Sequence, residues 1–210
     1  SIADKIIHTG DTNTAIRFPA ADTVSVETGG TEALRVDSNQ RLIIGHTAST
    51  GEARYLQVVG TTGDTSSIQL IRHSADASCS QVDLSKSRNA TKGSKTIVQD
   101  DDVLGQITFR GDDGTDLNST GATISAAVDG TPGSNDMPGR LMFNTTSDGA
   151  NSASERLRIT STGTVLKGLT TARVNFGNNT SGVEYGFQIE GTTGITAGLA
   201  IVRNSNDAND

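Results

Sequence analysis

A chain of 210 residues with 3% aromatics, no Trp and 24 Gly is too poor in bulky side chains to fill a conventional compact interior, and its Leu, Ile, Val and Phe together reach only about a fifth of the chain, close to the level of disordered proteins. The net charge of −7 argues against a nucleic-acid partner, which requires clustered Lys and Arg. Cys79 is the single cysteine and the longest apolar run is about four residues, as at Leu199-Ala200-Ile201-Val202, so neither an intrachain disulfide nor membrane insertion is expected.

The apolar residues are nevertheless patterned. Residues 14–18 read as a strand closed by Pro19, and residues 23–27 alternate with period two before Gly29-Gly30 turns the chain. Residues 31–37 follow as a strand with Leu34 and Val36 on one face and Ala33, Arg35 and Asp37 on the other; a turn at 37–40 leads into residues 41–45, completing a hairpin. Further strands are predicted at 55–59, 67–73 and 81–85, then a polar stretch at 86–102, then strands at 106–110, 122–128 and 141–143. Asp129-Gly130-Thr131-Pro132-Gly133 is a turn signal. No apolar residues recur with helical spacing over three turns, so the class is all-β with short strands and Gly-rich turns. A thin fold of this kind buries little apolar area per residue, and its core is expected to be completed by other copies of itself.

The chain repeats itself. Thr31-Glu32-Ala33-Leu34-Arg35-Val36-Asp37-Ser38 and Leu42-Ile43-Ile44-Gly45-His46-Thr47 return, at an offset of 123 residues, as Ser154-Glu155-Arg156-Leu157-Arg158-Ile159-Thr160-Ser161 and Val165-Leu166-Lys167-Gly168-Leu169-Thr170. Gln57-Val58-Val59-Gly60-Thr61-Thr62-Gly63 returns as Gln188-Ile189-Glu190-Gly191-Thr192-Thr193-Gly194 at an offset of 131, which places about eight extra residues near 175–182. Ile71-Arg72-His73-Ser74-Ala75-Asp76-Ala77 likewise returns as residues 202–208. The expected organisation is an N-terminal β-module over 1–50, a β-rich shaft unit over 51–153, and over 154–210 a second hairpin opening an incomplete unit, the chain being read as part of a longer protein.

Nothing in the sequence singles out a catalytic, cofactor-binding or metal-ligating residue. His8, His46 and His73 stand in unrelated contexts. Asp112 to Asp116 lacks the ligand spacing of a calcium loop, with Thr123 where the closing Glu belongs, and reads as a solvated turn. Asp100-Asp101-Asp102 and the basic stretch Lys86, Arg88, Lys92 and Lys95 read as solvated loops, with pairing between subunits as the alternative. Glu32 with Arg35, and Glu155 with Arg158, lie three apart on a strand and so on opposite sides; each is expected to meet its counterpart on an adjacent subunit rather than its neighbour.

These residues resemble the tail fibre proteins of tailed bacteriophages, those of marine and cyanobacterial phages above all. The resemblance is carried by Ser1-Ile2-Ala3-Asp4-Lys5, by His8-Thr9-Gly10-Asp11-Thr12-Asn13-Thr14-Ala15-Ile16-Arg17-Phe18, by the Glu-x-Leu-Arg phrase, and by the span from Leu104-Gly105-Gln106-Ile107 to Asn135-Asp136-Met137-Pro138-Gly139-Arg140-Leu141. It implies slender repeated β-hairpin or β-sandwich-like modules in an intertwined homotrimeric fibre. The partners it implies are other copies of the chain, phage tail or baseplate proteins at the N-terminal end, and a host cell-surface receptor engaged by a distal region outside this chain. The corresponding location is the virion, extracellular after release.

The expected function is that of a structural, non-enzymatic shaft segment linking tail to receptor-binding tip. The alternatives are a glycan-binding module using the loops 86–95 or 112–118, a capsid or virion decoration protein, and, least favoured, a glycan-cleaving tailspike.

Overall fold

The computed structural model describes residues 4–51, 54–171 and 187–189, and the chain divides into two compact units, Ser1–Val82 and Asp83–Asp210. Each unit carries one six-stranded sheet in which neighbours in sequence are neighbours in space. The first comprises β1 (Lys5–His8), β2 (Asp11–Arg17), β3 (Val24–Thr28), β4 (Thr31–Val36), β5 (Leu42–Ile44) and β6 (Leu56–Val58). The second comprises β7 (Val103–Gly111), β8 (Ser119–Val128), β9 (Gly139–Thr145), β10 (Ser154–Ile159), β11 (Val165–Lys167) and β12 (Phe187–Ile189). A single 3-10 turn at Asp64–Ser66 is the only helical element among the described residues, so the fold is all-β as expected.

Both sheets run antiparallel until their last pair, which is parallel: β5 with β6 and β11 with β12. The repeat is therefore one of topology as well as of sequence. Leu34, Arg35 and Val36 face Ile44, Ile43 and Leu42, just as Leu157, Arg158 and Ile159 face Lys167, Leu166 and Val165. Each hairpin closes with the same two bonds: Asp37 N donates to Arg41 O at 3.1 Å and Gln40 N to Asp37 O at 2.8 Å, matched by Thr160 N to Thr164 O at 3.0 Å and Gly163 N to Thr160 O at 2.9 Å. This is a three-residue loop whose last position is left-handed, with φ of 63° at Gln40 and 83° at Gly163. After the hairpin, Gly45 takes φ of 80°, and a Cβ there would lie 2.3 Å from Val59 O, so no other residue fits where the chain leaves for its parallel partner.

The register fixes which side chains share a face. In the first sheet Ile6, Ile16, Val26, Leu34, Ile44 and Val58 form one continuous rung across all six strands. Val24, Val36, Leu42 and Leu56 form the next rung on that face. None of these ten apolar side chains is buried; Leu56 is 52% exposed. The opposite face carries the rung Lys5, Arg17, Ser25, Arg35, Ile43 and Gln57, and there Ser25, Ile43 and Gln57 are buried. The 45–55 crossover is tied to this rung, since Gln57 Nε2 donates to Ser49 Oγ at 3.0 Å and Arg54 O at 3.1 Å, and Oε1 accepts from Thr50 N at 3.2 Å.

The second sheet has the same sidedness. Ile107, Ile124, Phe143 and Leu157 form a rung, flanked by a second containing Ala126, Leu141, Ile159 and Val165. This face is open too, with Ile107 54% exposed. On the other face Ser125, Thr123 and Leu166 are buried. Ile43 and Leu166, equivalent in the repeat, are both fully buried.

Three sequence expectations are corrected. Residues 67–73 and 81–85 form no strand: β-propensity needs a hydrogen-bonded partner strand, and among the described residues none pairs with them. β1 had no strand signal of its own and exists because Ile6 and Ile7 pair with Ile16 and Ala15. The strands at 106–110 and 141–143 are parts of the longer β7 and β9. The extra residues near 175–182 and the repeat at 202–208 lie outside the described residues.

Gln40 sits where its counterpart is Gly163, and a left-handed non-Gly residue is destabilised by about 1 kcal/mol. Gln40→Gly is expected to raise the urea midpoint, and Gly163→Ala to lower it by a similar amount, with m unchanged.

Candidate functional site

The buried polar face is assembled from the Glu-x-Leu-Arg phrase. Contrary to the expectation from strand geometry, Glu32 and Arg35 pair with each other. Arg35 Nε donates to Glu32 Oε1 at 2.5 Å and Nη2 to Oε2 at 2.8 Å; Arg158 repeats this on Glu155 at 2.6 and 2.7 Å. The reason is a β-bulge. Val26 pairs with Leu34 but Glu27 with Glu32, so Ala33 is an extra residue; Phe143 pairs with Leu157 but Asn144 with Glu155, so Arg156 is extra. One inserted residue shifts the alternation by one and brings positions three apart onto the same side. The Arg35 hydrogen bonds hold the Glu32 carboxyl below its ordinary range, against the opposing effect of burial.

Around this pair the first sheet adds Lys5 Nζ at 3.0 Å and Arg17 Nη1 at 3.8 Å from Glu27 Oε2. Ser25 lies fully buried among these long side chains, whose aliphatic stems shield it while their heads stay near water.

In the second unit Asp100 and Asp101 are exposed, as expected of a solvated run, but Asp102 is not. Asp102 is 7% exposed and accepts from Arg88 Nε at 2.6 Å, Arg88 Nη2 at 3.0 Å, Lys86 Nζ at 2.8 Å and Gln99 N at 2.9 Å. Arg88, then Lys86, then the Gln99 amide depress its pKa strongly. Lys86 and Arg88 thus pair with Asp102 within one chain, where solvated loops, or pairing between subunits as the alternative, were expected, while Lys92 and Lys95 stay exposed. The Asp102 backbone joins the end of β8 as well, since Val128 N donates to Asp102 O at 2.9 Å. Next to it Arg140 donates to Val128 O at 2.8 Å, Asp129 Oδ1 at 3.2 Å and Asp101 Oδ1 at 2.5 Å. Asp129 Oδ2 accepts from Ser161 N at 2.8 Å, and Asp100 Oδ1 from Gly130 N at 2.8 Å. One end of the second sheet is thus closed by charges that sequence reasoning left unassigned; Arg140 gave no local signal, because its partners are 11 and 39 residues away.

The other candidates remain apart. His8 ends β1, the His46 ring lies 2.8 Å from Ala48 O, and His73 is exposed. The 112–118 loop closes on itself: Asp112 accepts from Gly114 N at 2.8 Å, Asp113 from Thr115 N at 2.9 Å and Ser119 Oγ at 2.6 Å, and Asp116 from Asn118 N at 2.8 Å. Its carboxylates are occupied as turn acceptors. A shallow cleft of about 300 Å³ beside Ile97, Val98, Asp100 and Pro132 offers mainly apolar surface. The extended surface available to a partner is therefore the pair of apolar sheet faces.

Two substitutions test the polar face. Arg35→Met is expected to cost about 1–3 kcal/mol, read by thermal melting, because it leaves a half-buried carboxylate without its charged donor; Arg35→Lys recovers only part, lacking the planar fork. Asp102→Asn is expected to lower the melting temperature at pH 7. Because the folded pKa is depressed, the carboxylate's stabilisation is present above its unfolded pKa near ~4 and fades as pH falls toward the lower folded value, so wild type and variant converge in acid.

No protein-family model matches the sequence, and neither does any curated protein. Among solved structures, the chain is similar to the carboxy-terminal domain of the bacteriophage T5 L-shaped tail fibre, with a TM-score of 0.57 and 16% identity, covering 88% of this chain and 81% of that one. It is also similar to that domain with its intra-molecular chaperone domain, with a TM-score of 0.59 and 17% identity, covering 96% of this chain and 60% of that one. The chain thus spans less than two thirds of the second structure. At these identities the likeness is one of fold: an all-β chain resembling a phage tail-fibre domain.

Proposed function

We propose that the chain is a structural segment of a phage tail fibre, part of a homotrimeric shaft that joins the virion tail to a receptor-binding region elsewhere, with no catalytic activity of its own. The observation that carries this reading is the sidedness of the sheets. In each, the continuous apolar rungs face outward from the lone chain while the charged face is the buried one. Exposed apolar faces of this kind mark contact surfaces, and the same sidedness within each unit calls for one kind of partner for both. Three copies around a common axis present like faces to one another and leave the ion-pair faces outside, a closed arrangement that also shelters strand edges.

The fold likeness to a tail-fibre domain supports the reading, as does the resemblance of the Asn135 to Leu141 string. On it, tail or baseplate proteins hold the N-terminal end, and the assembly belongs to the virion and reaches the host surface after release. Light scattering is expected to give about three times the 21.7 kDa chain mass; a monodisperse monomer would overturn the proposal. Leu34→Asp, which places a charge on the central rung, is expected to abolish the trimer at micromolar concentration, whereas Asn39→Asp in the exposed hairpin loop leaves it intact.

A further inference from the structure

Between the 3-10 turn and the end of the first unit runs a stretch that neither sheet uses. Residues 67–82 are exposed throughout, and they leave the 3-10 turn in extended conformation, Ser67 having φ of −116° and ψ of 156°. Among the described residues, no backbone-to-backbone hydrogen bond involves them. Their only ties are local: Asp76 N to Ser74 Oγ at 3.3 Å, Ser78 N to Asp76 Oδ1 at 2.9 Å, Ser67 Oγ to Asp64 O at 3.1 Å, and Arg72 to Asp76 Oδ2 at 2.6 Å, with a longer contact to Ser74.

The composition of this arm is that of a strand. Ile68 and Leu70 alternate, Ile71 and Val82 add to them, and Val82 and Ile68 are 73% and 69% exposed. The amides and carbonyls of 68–73 and 79–82 form a row of unpaired donors and acceptors, the template for β-addition. The chain bends at 75–77, so the stretch that can act as one edge is 67–73, seven residues spanning roughly 23 Å at about 3.3 Å each.

We propose that residues 67–73, ahead of the bend at 75–77, form an intermolecular strand that pairs with the same segment of neighbouring copies of this chain. The inference rests on the trimeric reading above and adds where the chains interlock. Three features name the occupant. In a closed arrangement of identical chains, equivalent segments lie at the same level, so an arm meets arms. The arm continues directly from the unit whose open apolar face is assigned to the same copies. Its only charges, Arg72 and Asp76, neutralise each other, so in a chain of net charge −7 this is where copies approach without like-charge repulsion.

The test installs the photocrosslinking residue p-benzoylphenylalanine at Leu70, irradiates the assembled protein, and separates the boiled product on a denaturing gel, using a mixture of isotopically light and heavy chains. The expected result is a covalent dimer in which light and heavy peptides from 67–73 are joined. Crosslinks only within one chain, or to segments other than 67–73, in a preparation whose scattering mass is trimeric, would overturn the strand pairing and leave the trimer standing. A monomeric mass would overturn both. Should the Leu70 variant fail to assemble, hydrogen exchange on the unmodified protein decides: amides of 68–73 are expected to exchange at least about 100-fold more slowly than in the free peptide, and exchange at free-peptide rates in a trimeric sample would overturn the proposal.

Discussion

Each sheet places its large aliphatic side chains on one face and its Ser, Thr, Gln and paired charges on the other, and one chain has material to cover only the second. The 45–55 crossover and the aliphatic stems of Lys5, Arg17 and Arg35 enclose Ser25, Ile43 and Gln57. On the first face, Ile16 and Ile44 stay exposed and Val26 and Leu34 half-buried. At about 25 cal/mol per Å² of apolar surface removed from water, covering these rungs would add hydrophobic stabilisation that the isolated chain lacks. In the trimer proposed above, stability and association become one quantity, dependent on concentration, as in obligate oligomers.

The polar face stays closed because of one residue per unit. Ala33 and Arg156 are each the extra residue of a bulge, and without them Glu32 and Glu155 would lie on the apolar side, away from their arginines. With them, both guanidinium groups meet their carboxylates through two parallel bonds, the strongest geometry open to this pair. That explains why the repeat conserves its charged letters within one chain while exchanging Ile43 for Leu166: the aliphatic pair needs only volume, whereas the ion pair needs a fixed fork at a fixed bulge.

The strand pattern, the hairpin at 37–40 and the internal repeat were legible in the sequence, because period-two alternation and turn residues are local signals. The bulge was not. Counting three residues from Glu32 to Arg35 puts them on opposite faces unless an insertion in the pairing is known, and that insertion is a property of two strands together. The Asp102 and Arg140 clusters were hidden for a related reason, since their partners are brought in by β8, β9 and the β10–β11 turn. Residues 67–73 carry a genuine strand pattern without a strand, because the pattern specifies what a segment can pair as and is silent on which chain supplies the partner.

Open apolar faces expose a folding chain to a specific error. A slip of one residue in β3–β4 or β9–β10 would exchange the two faces, moving charge onto the open apolar face and aliphatic side chains onto the polar one. The bulged ion pairs oppose this, since a slipped register separates each carboxylate from its arginine and strands both charges on the face assigned to the axis, at a penalty of several kcal/mol per unpaired ion. The left-handed positions at Gln40 and Gly163 reinforce the register by fixing loop length. The Glu-x-Leu-Arg ion pair therefore acts on the proposed assembly indirectly: it lies on the polar face, yet it decides which residues the opposite face presents outward.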